Sequence, residues 1–426
     1  MGWVMVLMPL ILLLAGIPIF LLVLATCITA VVFFSSLPYA IIHQVLYDSV
    51  AKVPLVAVPF FLFTGDVMSR GGLSKRLLRW VASMFGGFRG SLPLTSLGFA
   101  AVFGAISGAT TASVAAVGSI TYPRLLQAGY KERFASALIV AECALDNLIP
   151  PSIAFIIYGI ATETSVAHLF AAGILPGLVL GGLFAVYIYL YSIRQNIDVR
   201  GGQFTWSEFF AASREGLWPL GAIVVIFGGI YSGVFSPTEA AGVSCVYAMF
   251  VALCVYREVT LTDLFQIAAR TFLLTAMFFI IVAVAGMFGW LLTISGVAGR
   301  LSEGIAALNA PGWTILLLMN LFLLFVGCFL DTGTALIILS PLLLPIAKQL
   351  GVDPIHFGVI VVMNLTIGTF HPPFGLNIFV FQAMFKTPSH ILYPGLIPFV
   401  VLAVIALMIV TYVPWLSLAL LPYLIR

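Results

Sequence analysis

Long apolar runs occupy most of this chain and constrain its fold more than any other feature. Of its 426 residues, 62% are hydrophobic and only 8% are charged, whereas soluble domains carry about 25% charged residues. So few charges cannot cover the surface of a water-soluble fold of this length. The runs are also continuous, while the strands of membrane β-barrels alternate apolar and polar residues. The sequence therefore predicts an all-α polytopic membrane protein with about ten to twelve membrane segments, at about 20 residues for each spanning helix.

Two of the apolar runs differ from the rest because small and polar residues interrupt their centres. These runs cover 93–122 and 315–346, and their polar centres lie at 104–113 and 327–335. Backbone groups inside a bilayer must find partners within the protein, so we predict that each run is a re-entrant helical hairpin with its turn inside the membrane. The continuous runs predict spanning helices at 2–34 (one helix or two), 47–69, 134–160, 169–192, 217–235, 238–256, 271–293, 356–382 and 393–420.

The two halves of the chain repeat at an offset of 222 residues. Apolar sequences share leucine and valine by chance, but seldom proline and glycine, and a fixed spacing of such matches indicates a structural repeat. We therefore predict a first repeat at 1–193, a linker at 194–216 and a second repeat at 217–426. The matched residues include Phe103 with Phe325, Thr110 with Thr332, Pro123 with Pro345, Gly129 with Gly351, Pro150-Pro151 with Pro372-Pro373, and Pro176 with Pro398.

Basic residues predict the orientation of the two repeats. If the stretch 70–89, the ends of the first hairpin, the loops 194–214 and 257–270 and Lys386 share one side, 14 of the 18 Lys and Arg residues lie there. By the positive-inside rule that side is cytoplasmic, so the first hairpin opens inward and the second outward. Inverted-topology repeats of this kind occur in many secondary transporters. The basic residues left on the outer side are Lys52, Arg300, Lys348 and Arg426.

Each half also contains a doubled proline inside an apolar run, which predicts a broken helix at 134–160 and another at 356–382. Proline lacks an amide donor and clashes with the preceding turn, so carbonyl groups before it lose their partners. Such carbonyls, with Asp, Asn, Ser and Thr oxygens, suit a dehydrated alkali cation, while helix N-termini favour an anionic group. We therefore predict that the hairpin turns and helix breaks bind two or more sodium ions together with a carboxylate substrate.

The candidate ligands follow from these four irregular segments. The predicted sodium ligands are Ser107, Gly108, Asp146, Asn147, Pro150, Gly327, Asp331, Thr332, Gly368, Thr369 and Pro372. The predicted substrate contacts are Ser107, Thr110, Thr111, Ser152, Asp331, Thr332 and Pro373.

Simpler interpretations of these residues are also open. Ionisable groups inside a membrane are functional by default, but Asp146 and Asp331 could instead be tied to helix ends. The hairpin hydroxyl groups could bond to their own backbone, and the proline pairs could only bend helices. We interpret His371 as packed rather than as a proton relay, and Gly65 and Asp66 as packing at the lipid face.

Other classes of site are absent from the sequence. There is no GxxxxGK[ST] phosphate loop, no HExxH, no GxSxG and no Cys/His cluster, and the net charge of +3 is too small to indicate a nucleic-acid partner. We therefore predict that the chain is not an enzyme and that ATP does not drive it directly. An intramembrane transferase would need an acidic metal motif such as DDxxD, which is absent.

Five motifs together resemble the large membrane subunit of the TRAP (tripartite ATP-independent periplasmic) transporters of bacteria, over essentially the whole chain. They are GAISGATTASVAAVGSITYPRL (104–125), DNLIPPSIAFIIYG (146–159), SPTEAAGV (236–243), GCFLDTGTALIILSPLLLPIA (327–347) and TIGTFHPPFGLNIFV (366–380). One departure is Ala109, where the family often has a serine; Thr110 could supply that hydroxyl group.

The resemblance implies a function and a set of partners. It implies sodium-coupled uptake of an organic acid, such as sialic acid, a C4-dicarboxylate or a keto acid, across the bacterial cytoplasmic (inner) membrane. It also implies a periplasmic substrate-binding protein and a small four-helix membrane subunit, which we expect to be a separate chain. In the implied elevator mechanism, 95–160 and 318–385 would move as a transport domain against a scaffold of the remaining spans. The amphipathic stretches 73–85 and 297–308 would brace it.

Two further kinds of transporter remain open at this stage. A stand-alone sodium-coupled di- or tricarboxylate symporter shares inverted hairpin repeats with the TRAP large subunit. A channel is a third hypothesis, although a channel seldom needs two re-entrant hairpins that face broken helices.

Overall fold

Helices form the regular structure throughout the part of the chain that the computed structural model describes, residues 2–195, 204–307 and 310–424. The first half contains α1 (Gly2–Leu14), α2 (Ile19–Phe34), α3 (Ala40–Val50), α4 (Ala57–Arg70), α5 (Leu73–Met84), α6 (Ser91–Ser107), α7 (Thr110–Gln127), α8 (Glu132–Glu142), α9 (Ile153–Thr162) and α10 (Val166–Arg194). The second half contains α11 (Trp206–Tyr231), α12 (Pro237–Phe250), α13 (Leu261–Ile294), α14 (Val297–Ala307), α15 (Gly312–Gly327), α16 (Thr332–Gln349), α17 (Pro354–Gly368), α18 (Leu376–Phe385), α19 (Ser389–Tyr412), α20 (Trp415–Leu418) and α21 (Leu421–Leu424). The described residues therefore have the all-α architecture of a polytopic membrane protein.

Seven of the described helical segments are long and apolar enough to cross a membrane, judged by length and composition. They are Val53–Arg70, Val166–Arg194, Trp206–Tyr231, Pro237–Val255, Leu261–Ile294, Thr332–Gln349 and Ser389–Tyr412. Other predicted spans are divided into shorter helices. The run 2–34 forms α1 and α2, because Gly16 adopts a positive φ of 75° and Pro18 precedes α2 with a non-helical ψ of 139°.

The two interrupted runs fold as pairs of helices with a turn at the predicted place. In the first, α6 ends at Ser107 and Gly108 adopts a left-handed φ of 61°, which glycine tolerates without steric cost; α7 begins at Thr110. In the second, α15 ends at Gly327 and α16 begins at Thr332. The proline-containing runs are also divided, since residues 143–152 separate α8 from α9 and residues 369–375 separate α17 from α18. Both proline pairs contain a cis peptide bond.

Two loops are shorter than the sequence predicted, because side-chain caps begin helices inside them. The linker expected at 194–216 reaches only to Thr205, whose Oγ1 accepts a hydrogen bond from the Glu208 amide at 3.3 Å and starts α11; residues 196–203 of that linker lie outside the described residues. The loop expected at 257–270 ends at Thr260, which forms a reciprocal capping box with Asp263. Polar residues after these caps occupy the first turns of helices rather than loops.

The helices pack as two groups, which we call the scaffold group and the hairpin group. The scaffold group consists of α1 to α5 and α11 to α14. In it, Arg79 of α5 forms ion pairs with Glu208 and Glu215 of α11 at 3.0 and 2.6 Å. Thr64 of α4 lies 3.4 Å from Ser244 of α12, hydroxyl to hydroxyl. The apolar face of amphipathic α5 is buried against α11 and α6, so α5 lies between the two groups.

The hairpin group consists of α6 to α10 and α15 to α20, and it is larger than the sequence predicted. We expected α10 and α19 to belong to the scaffold, but both pack on the hairpin helices. The Arg133 guanidinium of α8 donates to the Pro394 carbonyl of α19 at 2.7 Å, and the Phe184 ring of α10 contacts the Phe399 ring of α19 at 5.2 Å between centroids. That assignment failed because helix length and hydropathy do not reveal which neighbour a spanning helix packs against.

Candidate functional site

The first candidate centre forms where the α6–α7 turn packs against the proline-containing segment 143–152. A Cβ atom on Gly108 would lie 3.0 Å from the Pro151 carbonyl oxygen, so the turn rests directly on that segment. A Cβ atom on Gly104 would lie 2.0 Å from Asp146 Oδ1, which leaves no room for a side chain there. These contacts bring the predicted ligands Gly108, Asp146 and Pro150 into one cluster.

Asp146 has the most unusual environment of the predicted ligands. Its side chain is 0% exposed. The Ser113 hydroxyl group lies close enough to interact with the carboxylate, but neither carboxylate oxygen has a hydrogen bond of ordinary geometry among the described residues. One turn earlier, the carboxyl group of Glu142 is equally buried; its Oε1 accepts from the Ser96 hydroxyl at 2.5 Å, while its Oε2 has no described partner. Burying a carboxylate is costly unless it is paired or neutral, and hard cations take carboxylate oxygens as ligands. The unpartnered oxygens therefore fit a cation such as Na⁺.

Most hydroxyl groups of the first centre already have partners within it. Ser107 Oγ lies 3.1 Å from Ser113 Oγ, and Ser152 donates to the Asn147 carbonyl at 2.7 Å while it caps α9. Thr110 is 7% exposed at the start of α7. The sequence did not single out Ser113, because its position on the first turn of α7 faces Ser107 only once the hairpin has folded.

The second candidate centre is a close backbone contact between α15 and α17. A Cβ atom on Gly368 would lie 2.3 Å from the Gly327 carbonyl oxygen, so both predicted ligands touch through backbone alone. Thr369 donates its hydroxyl group to the Thr366 carbonyl at 2.7 Å, and its own carbonyl accepts from the Asn377 amide at 2.9 Å. Thr369 is therefore tied to the backbone through both its hydroxyl group and its carbonyl group.

Asp331 and the proline pair of the second half are less enclosed. Asp331 caps α16, and its carboxylate accepts from the Thr334 amide at 3.0 Å and from the Thr334 hydroxyl group. Thr332 and Pro372 are half-buried and Pro373 is exposed. Asp331 is thus bound to a helix end, whereas Asp146 is not. The two acids also do not correspond in the predicted repeat, since the 222-residue offset matches Asp146 with Gly368.

The two centres are held together by contacts between the two halves of the chain, in which α16 packs on α9 and α7 packs on α18. On one side, a Cβ atom on Gly333 of α16 would lie 3.4 Å from Ile157 of α9. On the other, the rings of Tyr122 in α7 and Phe381 in α18 contact at 5.0 Å between centroids, and Asn377 donates to the Val140 carbonyl at 3.3 Å. The second helix of each hairpin thus packs on the far part of the other broken helix.

The scaffold touches the first centre at a position that the sequence analysis misassigned. Gly65 of α4 was expected at the lipid face, but a Cβ atom there would lie 3.0 Å from the Cα and Cβ atoms of Ser107. A glycine inside an apolar helix is a known signal of close approach, and this signal was available. His371 lies 3.2 Å from the Cys328 sulfur, which agrees with its interpretation as a packed residue.

Two neighbouring cavities open between the scaffold and hairpin groups beyond the first centre. Their volumes are about 610 and about 400 Å³, and both are lined by Lys52, Ile160 and Glu163. The larger reaches Ile156, one helical turn from Ser152. Lys52 is on the predicted outer side, so in that orientation these cavities would lead from outside toward the first centre.

Comparison with known proteins gives a family match over nearly the whole chain. The profile of the family described as "Tripartite ATP-independent periplasmic transporter, DctM component" matches residues 4–416. The chain is 39% identical, over 88% of both chains, to the C4-dicarboxylate TRAP transporter large permease protein of Pseudomonas aeruginosa. It is 38% identical, again over 88% of both, to the ectoine TRAP transporter large permease protein of Halomonas elongata. The YdaH transporter of Alcanivorax borkumensis has a similar fold, with a TM-score of 0.65 over 89% of this chain and 88% of that one, at 16% identity.

Proposed function

Because the chain belongs to the DctM component family of tripartite ATP-independent periplasmic transporters, we propose that it couples sodium entry to uptake of an organic acid. Members of the family are large, multi-pass permease subunits of the bacterial inner membrane. Its relatives are named as transporter components and not as enzymes, which confirms the prediction that this chain is not an enzyme. Large permeases of this family work with a small membrane subunit and a periplasmic binding protein.

The observation that carries the sodium proposal is the pair of unpartnered, buried oxygens of Asp146. A sodium ion there would satisfy both and would neutralise the charge next to the α6–α7 turn. The second centre offers backbone carbonyls rather than an unpartnered acid, because the Asp331 carboxylate is engaged by Thr334. A second ion would therefore be held by weaker, neutral ligands around Gly327 and Gly368. We propose one ion at each centre.

The substrate proposal is a carboxylate bound between the two hairpin turns. Thr110, Thr111, Ser152 and Thr332 are proposed contacts, because they lie at helix starts where amides and hydroxyl groups favour an anion. Pro373 precedes the N-cap of α18 and has no N–H or hydroxyl donor, so we propose only a packing contact between its ring and the substrate. Relatives at 39% and 38% identity are named for a C4-dicarboxylate and for ectoine, so overall identity does not select one acid. The periplasmic binding protein would largely determine which acid is transported.

The proposed motion is an elevator in which the hairpin group moves against the scaffold group. The inverted repeat would supply the inward-facing and outward-facing states by exchange of conformations between its halves. The interhelical hydrogen bonds and ion pairs described above join helices of the same group. Contacts between the groups are instead apolar, as where α5 packs on α6 and α13 on α16, or involve small residues, such as Gly65 at Ser107 and Gly289 at the Ile337 carbonyl. Sparse polar contacts at a boundary favour sliding over a fixed attachment.

The decisive experiment is uptake by proteoliposomes that contain both membrane subunits, with binding protein and radiolabelled acid outside. We expect Asp146→Asn to raise the sodium concentration for half-maximal uptake at least tenfold, because it removes the charge but retains the shape. Asp331→Asn is the matched control, since asparagine also caps a helix; we expect its sodium dependence to stay within about twofold of wild type. Wild-type sodium dependence in Asp146→Asn would refute the assignment.

The same vesicles separate the TRAP mechanism from a stand-alone symporter. Omission of the binding protein, or of the small subunit, should abolish uptake at micromolar acid. Uptake by the large subunit alone at that concentration would favour the symporter. One binding protein loaded in turn with sialic acid, a C4-dicarboxylate and a keto acid would then identify the acid.

A further inference from the structure

A cavity of about 240 Å³ between α8, α10 and α19 has a lining that neither the proposed ion centres nor the proposed substrate path uses. Lys131 and Arg133 flank its entrance and are exposed, and Gln195 lies beside them at the end of α10. Tyr187 and Tyr191, at successive turns of α10, form one wall, and Pro394 of α19 forms the other. The cavity thus combines two cations with phenol and amide donors.

The described lining residues of this cavity include no acid. The nearest carboxylate in sequence, that of Glu132, is engaged elsewhere: it accepts from the Thr387 hydroxyl at 3.2 Å and from the Tyr122 hydroxyl at 3.4 Å. Arg133 donates one Nη2 bond to the Pro394 carbonyl at 2.7 Å, which fixes the guanidinium but uses only part of its five donors. Two positive charges with no acid among their described neighbours form a site for an anion.

The tyrosine rings are held at the cavity wall by aromatic packing. The Tyr191 ring stacks on the Phe134 ring with centroids 3.9 Å apart, and the Tyr187 ring contacts Phe399 at 5.1 Å. Within the described part of the chain, neither hydroxyl group forms a hydrogen bond. A pre-ordered phenol that is apolar on one side and polar at its tip is typical of the membrane interface, where its hydroxyl group faces head groups.

Apolar side chains flank the cavity on the surface that faces outward from the protein. Val186 and Leu190 of α10 are 58% and 53% exposed, and Ile397 and Val401 of α19 are 57% and 51% exposed. These positions directly precede or follow the cavity-lining turns of the same helices. A ligand with an anionic head in the cavity and acyl chains along these side chains would satisfy both surfaces.

We propose that this cavity binds the head group of an anionic phospholipid of the inner leaflet. Its entrance lies among basic residues on the predicted cytoplasmic side, and basic pockets between spanning helices at that side suit acidic lipid head groups. Because α8, α10 and α19 all belong to the hairpin group, the lipid would bind the part of the protein that we propose to move. A free phosphate ion would use the same donors but would leave the apolar flanks uncovered.

The test is lipid-dependent thermal unfolding of the detergent-purified complex of both membrane subunits after delipidation. Phosphatidylglycerol, phosphatidylcholine and inorganic phosphate are titrated in parallel, and bound phosphatidylglycerol is counted by native mass spectrometry. Each basic residue near an anionic lipid contributes about fivefold in affinity. We therefore expect Lys131→Gln and Arg133→Gln each to weaken phosphatidylglycerol binding about fivefold, with no change for phosphatidylcholine.

Controls separate this site from general charge effects and from misfolding. Arg124→Gln removes an exposed arginine of α7 outside the cavity, on the same predicted side, and should bind phosphatidylglycerol as wild type does. Lys131→Gln leaves the Arg133–Pro394 bond in place, so it keeps the test valid if Arg133→Gln is unstable. Equal affinity of wild type and Lys131→Gln, or equal stabilisation by the two lipids, would overturn the proposal. If inorganic phosphate alone stabilised the protein as much as phosphatidylglycerol does, the lipid would be excluded as the ligand.

Discussion

The absence of a side chain at Gly104 determines whether the first centre can form. An alanine there would place its Cβ atom 2.0 Å from Asp146 Oδ1, so either the carboxylate or α6 must shift. Overpacking of this kind costs about 1–3 kcal/mol. We expect Gly104→Ala to lower the melting temperature of the purified protein. We also expect it to raise the sodium concentration for half-maximal uptake several-fold.

Gly182 in α10 provides the matched control, because a Cβ atom there would meet nothing within 4 Å. Alanine is the better helix former by about 0.5–1 kcal/mol, so Gly182→Ala should retain wild-type uptake and unfold at the same or a slightly higher temperature. Equal sodium affinity in Gly104→Ala and Gly182→Ala would contradict the role assigned to the Gly104–Asp146 contact.

A second prediction for a single residue concerns Asp331, whose carboxylate caps α16. Loss of an N-cap costs about 0.5–2 kcal/mol, so Asp331→Ala should destabilise the protein by about 1 kcal/mol in a denaturant or thermal titration. Asp331→Asn should recover most of that stability, since asparagine accepts the same backbone hydrogen bond. A loss of sodium dependence in Asp331→Asn at normal stability would instead identify Asp331 as an ion ligand.

The sequence predicted the irregular positions of the site better than the contacts between them. Gly108, Pro151 and Pro373 interrupt helices through local backbone geometry, and local geometry can be predicted from residue type. The contacts of Glu142 with Ser96 and of Gly104 with Asp146 join residues about 42 to 46 positions apart. Such contacts exist only after the hairpin has packed on the broken helix.

Side-chain caps fix where several helices begin, and their residue spacing is visible in the sequence. The capping box of Ser236 and Glu239 starts α12, with hydrogen bonds of 2.8 and 3.3 Å. Thr260 and Asp263 do the same for α13, and this signature can be recognised from spacing alone. The attachment of α10 and α19 to the hairpin group could not be recognised in this way, because uniformly apolar helices show no preferred face.

The α12 cap gives a prediction for an element as a whole. Ser236→Ala removes the acceptor for the Glu239 amide, and we expect it to lower stability by about 1 kcal/mol and to increase amide hydrogen exchange in the first turn of α12. Ser207→Ala changes an exposed serine in the first turn of α11 and should leave both measurements unchanged. Equal exchange in the two variants would contradict the assignment of the cap.

For the whole molecule, the proposed movement of the two groups can be tested with a crosslink that joins a helix of one group to a helix of the other. Gly289 of α13 belongs to the scaffold group, and a Cβ atom there would lie 3.4 Å from the Ile337 carbonyl oxygen of α16, in the hairpin group. Both residues line the cavity of about 400 Å³, so a short thiol-specific crosslinker can reach cysteines placed there. The experiment uses a background in which the five native cysteines are replaced.

A matched crosslink within the scaffold group distinguishes blocked movement from general damage. Gly286 lies one turn before Gly289 in α13 and lines the same cavity as Ser49; a Cβ atom on Gly286 would lie 2.6 Å from the Ser49 Cβ. If the groups slide past each other, the Gly289→Cys/Ile337→Cys crosslink should abolish uptake, because one end state becomes unreachable. The Ser49→Cys/Gly286→Cys crosslink joins helices that stay together and should leave most uptake intact. Transport that continues with α13 and α16 fully crosslinked would mean that substrate crosses through local movements of the hairpin turns, with the two groups fixed.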